Sequence, residues 1–311
     1  MNRPITIVGA PSSIGIRPYD DGTPRRLDLA PAALREQELV SRLGAHDLGD
    51  VPPPAYRDVE RPPKSRPRNE DEVIAYSREL ARLVAAAAEN AFVLVLGGDC
   101  SIVLGNLLGI RHGRAPVGLA YVDAHADFAS PQESITGSVA SMCLALAVGR
   151  GDSPLARLTL PESPGQVSRE PTPEPLVRPG DTVLIGRRDH AQPWYGHDAL
   201  RAMEILDLPG DAIGERGPAA AADIALERLA RPELGGFWVH LDADAIDPAV
   251  LPAVDSPTPG GLDLDSMAAL LDPLVRHPRA LGLELTIYDP GLDPDRVCAG
   301  RLVSLLQRVL R

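Results

Sequence analysis

With 311 residues, 44% of them hydrophobic, the chain is long enough to bury a substantial core and to fold on its own. A net charge of −12 and a pI near 5.0, with no patch of Lys and Arg, argue against nucleic acid or an anionic membrane as partner and leave small molecules. The opening MNRPITIVGAPSSIG is too short in apolar residues for a secretory signal, and no later segment reaches the roughly 18 uncharged apolar residues of a membrane helix, so a cytoplasmic location is expected.

In chain order, residues 4–9 (PITIVG) read as a buried strand and 31–43 as a helix. A proline-rich surface excursion at 52–67 precedes a helix at 70–90 and a strand at 91–97 (AFVLVLG). Ser101 caps a helix beginning near 102, and a strand at 117–122 (VGLAYV) and a helix at 137–149 follow. After a second proline-rich stretch at 161–179 come a strand at 182–186, a helix at 217–231, a strand at 237–241 (FWVHL), a helix at 265–276, a strand at 280–285 (ALGLEL) and a helix at 294–310. The strands are nearly continuous apolar runs, the pattern of parallel strands buried on both faces. Alternating strands and helices predict an α/β fold with a mostly parallel sheet, and the lack of repeats or a convincing linker predicts one domain over 1–311.

Three strands end in polar clusters: Asp99, Cys100 and Ser101; Asp123, His125 and Asp127; and Asp242, Asp244 and Asp247. Ligands of open parallel sheets bind at the carboxyl ends of the strands, so these clusters are expected to converge. In extended backbone the alternation in DAHAD (123–127) points all three functional side chains one way, and DAD (242–244) repeats the device. So many carboxylates repel one another unless cations neutralise them. Carboxylates with one imidazole suit Mn²⁺ or a similar ion, and their number suggests two ions that share and acidify a water. The three cysteines, Cys100, Cys143 and Cys298, are too few for a disulfide framework, so each is a free thiol or a ligand.

These motifs resemble those of the ureohydrolase family of arginases, agmatinases and formimidoylglutamases: GGDCS (97–101) its GGDHS, DAHAD its DAHxD, and DADAIDP (242–248) its DxDxxDP. PGGL (259–262) and the strand around Glu284 fall where the family's later motifs lie. The resemblance implies a three-layer αβα arginase-like fold and a binuclear, usually Mn²⁺, centre that hydrolyses a C–N bond at a guanidino or amidino carbon. By resemblance, one ion is held by Cys100, Asp123, Asp127 and Asp242 and the other by His125, Asp123, Asp242 and Asp244. It further implies that Asp127 orients the attacking hydroxide, that Glu284 pairs with the cationic substrate head, and that the chain forms a homo-oligomer, a trimer or hexamer.

Departures from the family pattern bear on substrate. Cys100 replaces a histidine, as in hydroxyarginine hydrolases, and its alternative use is as a small buried apolar residue. Ala140 replaces the histidine of the proton shuttle, Ser138 and Ala129 replace asparagines that hold the substrate α-carboxylate, and Ala191 stands where an acid for the α-amino group is expected. His190, His197 and His240 are candidate substitute proton donors. Hydroxyarginine or an arginine-related guanidine is therefore the expected substrate, with a urea-type product. Alternatives are a one-metal deacetylase-like amide hydrolase, which metal stoichiometry separates, and a non-catalytic metal- or ligand-binding relative.

Overall fold

A computed structural model of the chain describes residues 3–58, 60, 65–160, 174–192 and 197–311. Eight strands form one sheet: β1 (Ile5–Gly9), β2 (His46–Asp50), β3 (Phe92–Leu96), β4 (Gly118–Val122), β5 (Thr182–Ile185), β6 (Leu206–Leu208), β7 (Phe237–Asp242) and β8 (Ala280–Thr286). Their order is β2-β1-β3-β8-β7-β4-β5-β6, and every pairing is parallel. The expected "mostly parallel" sheet is thus wholly so among the described residues. The six strands read from sequence are buried along their whole length, as helices on both faces require.

The helices are α1 (Ala30–Glu36), α2 (Leu39–Leu43), α3 (Glu70–Ala87), α4 (Ile102–Arg111), α5 (Cys143–Ala147), α6 (His197–Ala202), α7 (Gly210–Arg216), α8 (Pro218–Leu229), α9 (Leu264–Arg276) and α10 (Val297–Leu310). One group, α3 to α5, packs together, and α3 also meets β1 and β3; another, α8 to α10 with α1 and α2, packs in a chain, with α8 against β4 and β5 and α9 against β8. Both sides of the sheet are covered, which gives the three-layer arrangement.

Two helical expectations need correction. The helix at 31–43 is broken because Glu38 adopts a left-handed conformation (φ 61°), which separates α1 from α2. The helix at 137–149 begins later and turns more tightly, with a 3₁₀ turn at Val139–Met142 leading into the five-residue α5. Residues 59 and 61–64 of the first proline-rich segment, and 161–173 of the second, lie outside the described residues. Among the described residues no helix is long and apolar enough to cross a membrane.

One close backbone approach fixes the turn after β3. A Cβ on Gly98 would sit 1.8 Å from the Ser12 carbonyl oxygen, so only glycine fits there. Asp99 is buried behind it and accepts from the Gly15 and Ser101 amides at 3.1 and 2.9 Å, which delivers Cys100 to the carboxyl edge of the sheet.

Candidate metal centre

The order β3-β8-β7-β4 brings the polar strand ends together, although the last of them lies more than 100 residues beyond the other two in sequence. Cys100, Asp123, His125, Asp127, Asp242 and Asp244 are all buried there. Three of the carboxylates work in the same way, one oxygen holding main chain and the other turned inward. Asp123 Oδ1 accepts from the His125 amide (2.7 Å), Asp242 Oδ1 from the Asp244 amide (2.8 Å) and Asp244 Oδ1 from the Ala124 amide (3.2 Å). Of the inward oxygens, Asp242 Oδ2 lies 2.9 Å from Cys100 Sγ and Asp244 Oδ2 lies 3.0 Å from His125 Nδ1. Asp123 Oδ2 is buried without a hydrogen-bond partner.

Ligand-capable atoms fall into two overlapping groups, each mutually within 4.8 Å: Cys100, Asp123, His240 and Asp242; and Asp123, His125 and Asp244. Asp123 belongs to both, the place of a bridging carboxylate. Asp127 joins neither group; its Oδ2 accepts from the Tyr121 hydroxyl at 2.7 Å. His240, weighed from sequence only as a proton donor, falls in the first group. The signal was its position two residues before Asp242 on one strand, hence on the same face.

Electrostatically the cluster calls for cations. Burial, then the charge of Asp244, pushes Asp123 up to about 6, and burial raises Asp127, Asp242 and the Cys100 thiol well above their usual ranges. Burial disfavours a charged His125, but Asp244 and Asp123 outweigh it and hold the imidazole pKa well up. Burial likewise raises Asp244, yet the adjoining His125 brings it below the ordinary carboxylate range. Acids and a thiol held protonated by burial, with an orphaned inward oxygen between them, are the donor set that divalent ions ionise and fill. The residues fit such a centre.

Above the cluster opens a cavity of about 190 Å³. Asp127, Ser138 and Ala140 line it, and Ser138 Oγ accepts from the Arg17 amide at 3.1 Å. Sequence reasoning missed Arg17, Arg25, Asp255 and Ile287 on its wall, because loops bring them there. Arg25 is ion-paired with Asp255 and its guanidinium lies 4.2 Å from the Tyr19 ring centroid. Asp127 (φ 46°) and Ile287 (φ 66°) both have left-handed backbone, which for a β-branched residue costs on the order of 1–3 kcal/mol and is sustained only where the surroundings fix it. The Ile287 amide donates to the Gly98 carbonyl at 2.9 Å, joining that strained residue to the glycine turn.

Glu284 requires a correction of place. It pairs in register with His240, is fully buried beneath the cluster and does not line the cavity, where Ile287 stands instead. Its oxygens are taken by His240 Nδ1 at 2.7 Å and by the Asn106 side-chain amide. His190 and Ala191 are exposed, and His197 lies 2.6 Å from the Gln192 carbonyl; none lines the cavity. Asp189, two residues before Ala191, is a buried strut that accepts from the Ala126 amide at 2.8 Å and so braces the DAHAD turn. Asp247 does the same for PGGL, accepting from Gly260 and Gly261 at 2.8 and 3.1 Å.

The sequence pattern of the arginase family matches residues 3–310. An arginase of Staphylococcus aureus (strain COL) is 29% identical over 310 residues, covering 97% of this chain and 95% of that one. The native structure of arginase from Bacillus caldovelox superposes with a TM-score of 0.84 at 27% identity, covering 99% of this chain and 98% of that one. Proclavaminate amidino hydrolase from Streptomyces clavuligerus shares the fold at 19% identity, with a TM-score of 0.72 over 99% of this chain and 91% of its own.

Proposed function

Because this chain belongs to the arginase family of metal-dependent hydrolases, we propose that it uses two divalent ions, Mn²⁺ first among candidates, to hydrolyse the C–N bond of a modified guanidino compound such as Nω-hydroxyarginine. The observation that carries this reading is the pair of ligand groups sharing Asp123 at the floor of the cavity. When bound, the ions would neutralise the buried carboxylates and acidify a water for attack on the amidino carbon. Asp123, common to both groups, would serve both ions, with Cys100 and Asp242 on one side and His125 and Asp244 on the other. Asp127, held by the Tyr121 hydroxyl, would be ionised by the bound ions and would then take and orient the proton of that water.

The wall argues for the substrate class. Apart from the cluster's own acids, the carboxylate on it among the described residues is Asp255, already paired with Arg25, and Ile287 offers a hydrocarbon surface. A strongly basic guanidinium gains little there, whereas a hydroxyguanidine, made less basic by its electron-withdrawing hydroxyl, has less charge to satisfy. Arg17, whose partner Asp20 is solvent-exposed, and Ser138 suit an anionic tail on the substrate. The test is a panel of arginine, agmatine and N-hydroxyarginine assayed for a urea-type product with Mn²⁺. Turnover that prefers the hydroxylated member and vanishes in Asp123→Asn supports the reading. Inactivity across the panel with both ions bound would overturn it.

A further inference from the structure

Resting on the two-ion reading above, we propose that His240 is itself a metal ligand, giving the ion at the Cys100 end a thiolate, an imidazole and two carboxylates, with Glu284 as the residue that positions the ring. Sheet register builds the arrangement. Tyr121, His240 and Glu284 are direct neighbours across β4, β7 and β8, one rung below Asp242 and Thr286, so their side chains share the face that carries Asp242. The His240 and Tyr121 rings stack with centroids 4.1 Å apart and planes 14° from parallel, which fixes the imidazole plane. Glu284 Oε1 lies 2.7 Å from His240 Nδ1, and Asn106 anchors its other oxygen. A carboxylate at Nδ1 holds the proton there and leaves Nε2 as a lone pair aimed away from Glu284.

Among the described residues that lone pair meets only the cluster. His240 is 0% exposed, its Nε2 has no hydrogen-bond partner among them, and it lies 3.9 Å from Asp123 Oδ2, which also has none there. The gap is too long for a hydrogen bond, and two acceptors facing across it in a buried space repel each other. One cation answers both, because metal–nitrogen and metal–oxygen bonds of about 2.0–2.2 Å together span up to roughly 4.2 Å. Cys100 Sγ and an Asp242 oxygen complete the group within 4.8 Å. Thiolate with imidazole is a softer set than the His125, Asp123 and Asp244 group, so the two positions differ in preference: Zn²⁺ or Co²⁺ enters the Cys100 side first and Mn²⁺ suits the other.

The test uses the full chain labelled with ¹⁵N-histidine, stripped of metal and loaded with ¹¹³Cd²⁺. Of the seven histidines, two are expected to show one-bond cadmium–nitrogen coupling, assigned by His240→Asn, which removes one and retains the other. Glu284→Gln keeps both couplings while weakening the Cys100-side ion about 10–100-fold in chelator competition. A single coupled imidazole in wild-type protein, unaffected by His240→Asn, would overturn the assignment and leave the two-ion reading standing. No coupled imidazole at all would overturn both. Should His240→Asn fail to fold, the count in wild-type protein still decides.

Discussion

In metal-free protein the buried acids ionise at a cost, and stability should fall as pH rises. The Asp123 pKa moves from 3.8 to about 6, led by burial, so the folded state holds a proton that the unfolded chain releases earlier. The associated stability is fully present below pH 3.8 and is lost as pH rises through about 6. At about 1.36 kcal/mol per unit this is roughly 3 kcal/mol from Asp123 alone. Burial raises Asp127 and Asp242 as well, and both act in the same direction. His125, also raised, works in the same direction, its contribution being present below pH 6.5 and lost above. Asp244 is lowered and acts below pH 3.8, outside the window. About 2 kcal/mol of this is lost above pH 4.5, so at roughly 2 °C per kcal/mol for a large domain the Tm of the stripped protein should drop by at least about 4 °C between about pH 4.5 and 8. Loaded protein should behave oppositely, because protons compete with the ions for the same oxygens. Differential scanning calorimetry of stripped and Mn²⁺-loaded protein across that range measures both curves. A stripped protein whose Tm is flat or rises with pH would refute the reasoning.

Asp127→Asn removes the proton acceptor without touching either ligand group and should lower kcat about 10²–10⁴-fold while metal content stays at the wild-type level. Arg17→Ala should raise KM for carboxylate-bearing substrates about tenfold or more with little change in kcat, since Arg17 stands on the cavity wall outside both ligand groups; steady-state kinetics separates the two. Gly98→Ala should destabilise by at least about 1–3 kcal/mol in urea unfolding, because its methyl group would meet backbone at the Ser12 carbonyl, which cannot rotate away.

The six central strands were legible because burial on both faces leaves a continuous apolar run. β2 and β6 were not, being edge strands: HDLGD alternates between exposed and half-buried positions, and LDL is three residues long. The helix break at Glu38 rests on a left-handed residue that is not glycine, which composition does not signal. At the site, alternating acids after apolar strands carried enough information to place Cys100, Asp123, His125, Asp242 and Asp244 together. The roles of His240 and Glu284 depend on which residues face each other across strands remote in sequence, and no single segment encodes that register. Arg17, Arg25 and Ile287 reach the cavity through loops, where local pattern says least.

A two-ion centre in which Cys100 takes part is read out by elemental analysis of metal per chain on wild-type protein and on Cys100→Ser, Cys100→His and Asp242→Asn. Two ions per chain are expected in the wild type, falling in Cys100→Ser and Asp242→Asn and kept in Cys100→His. One ion or none in the wild type, indifferent to Cys100, would contradict the account.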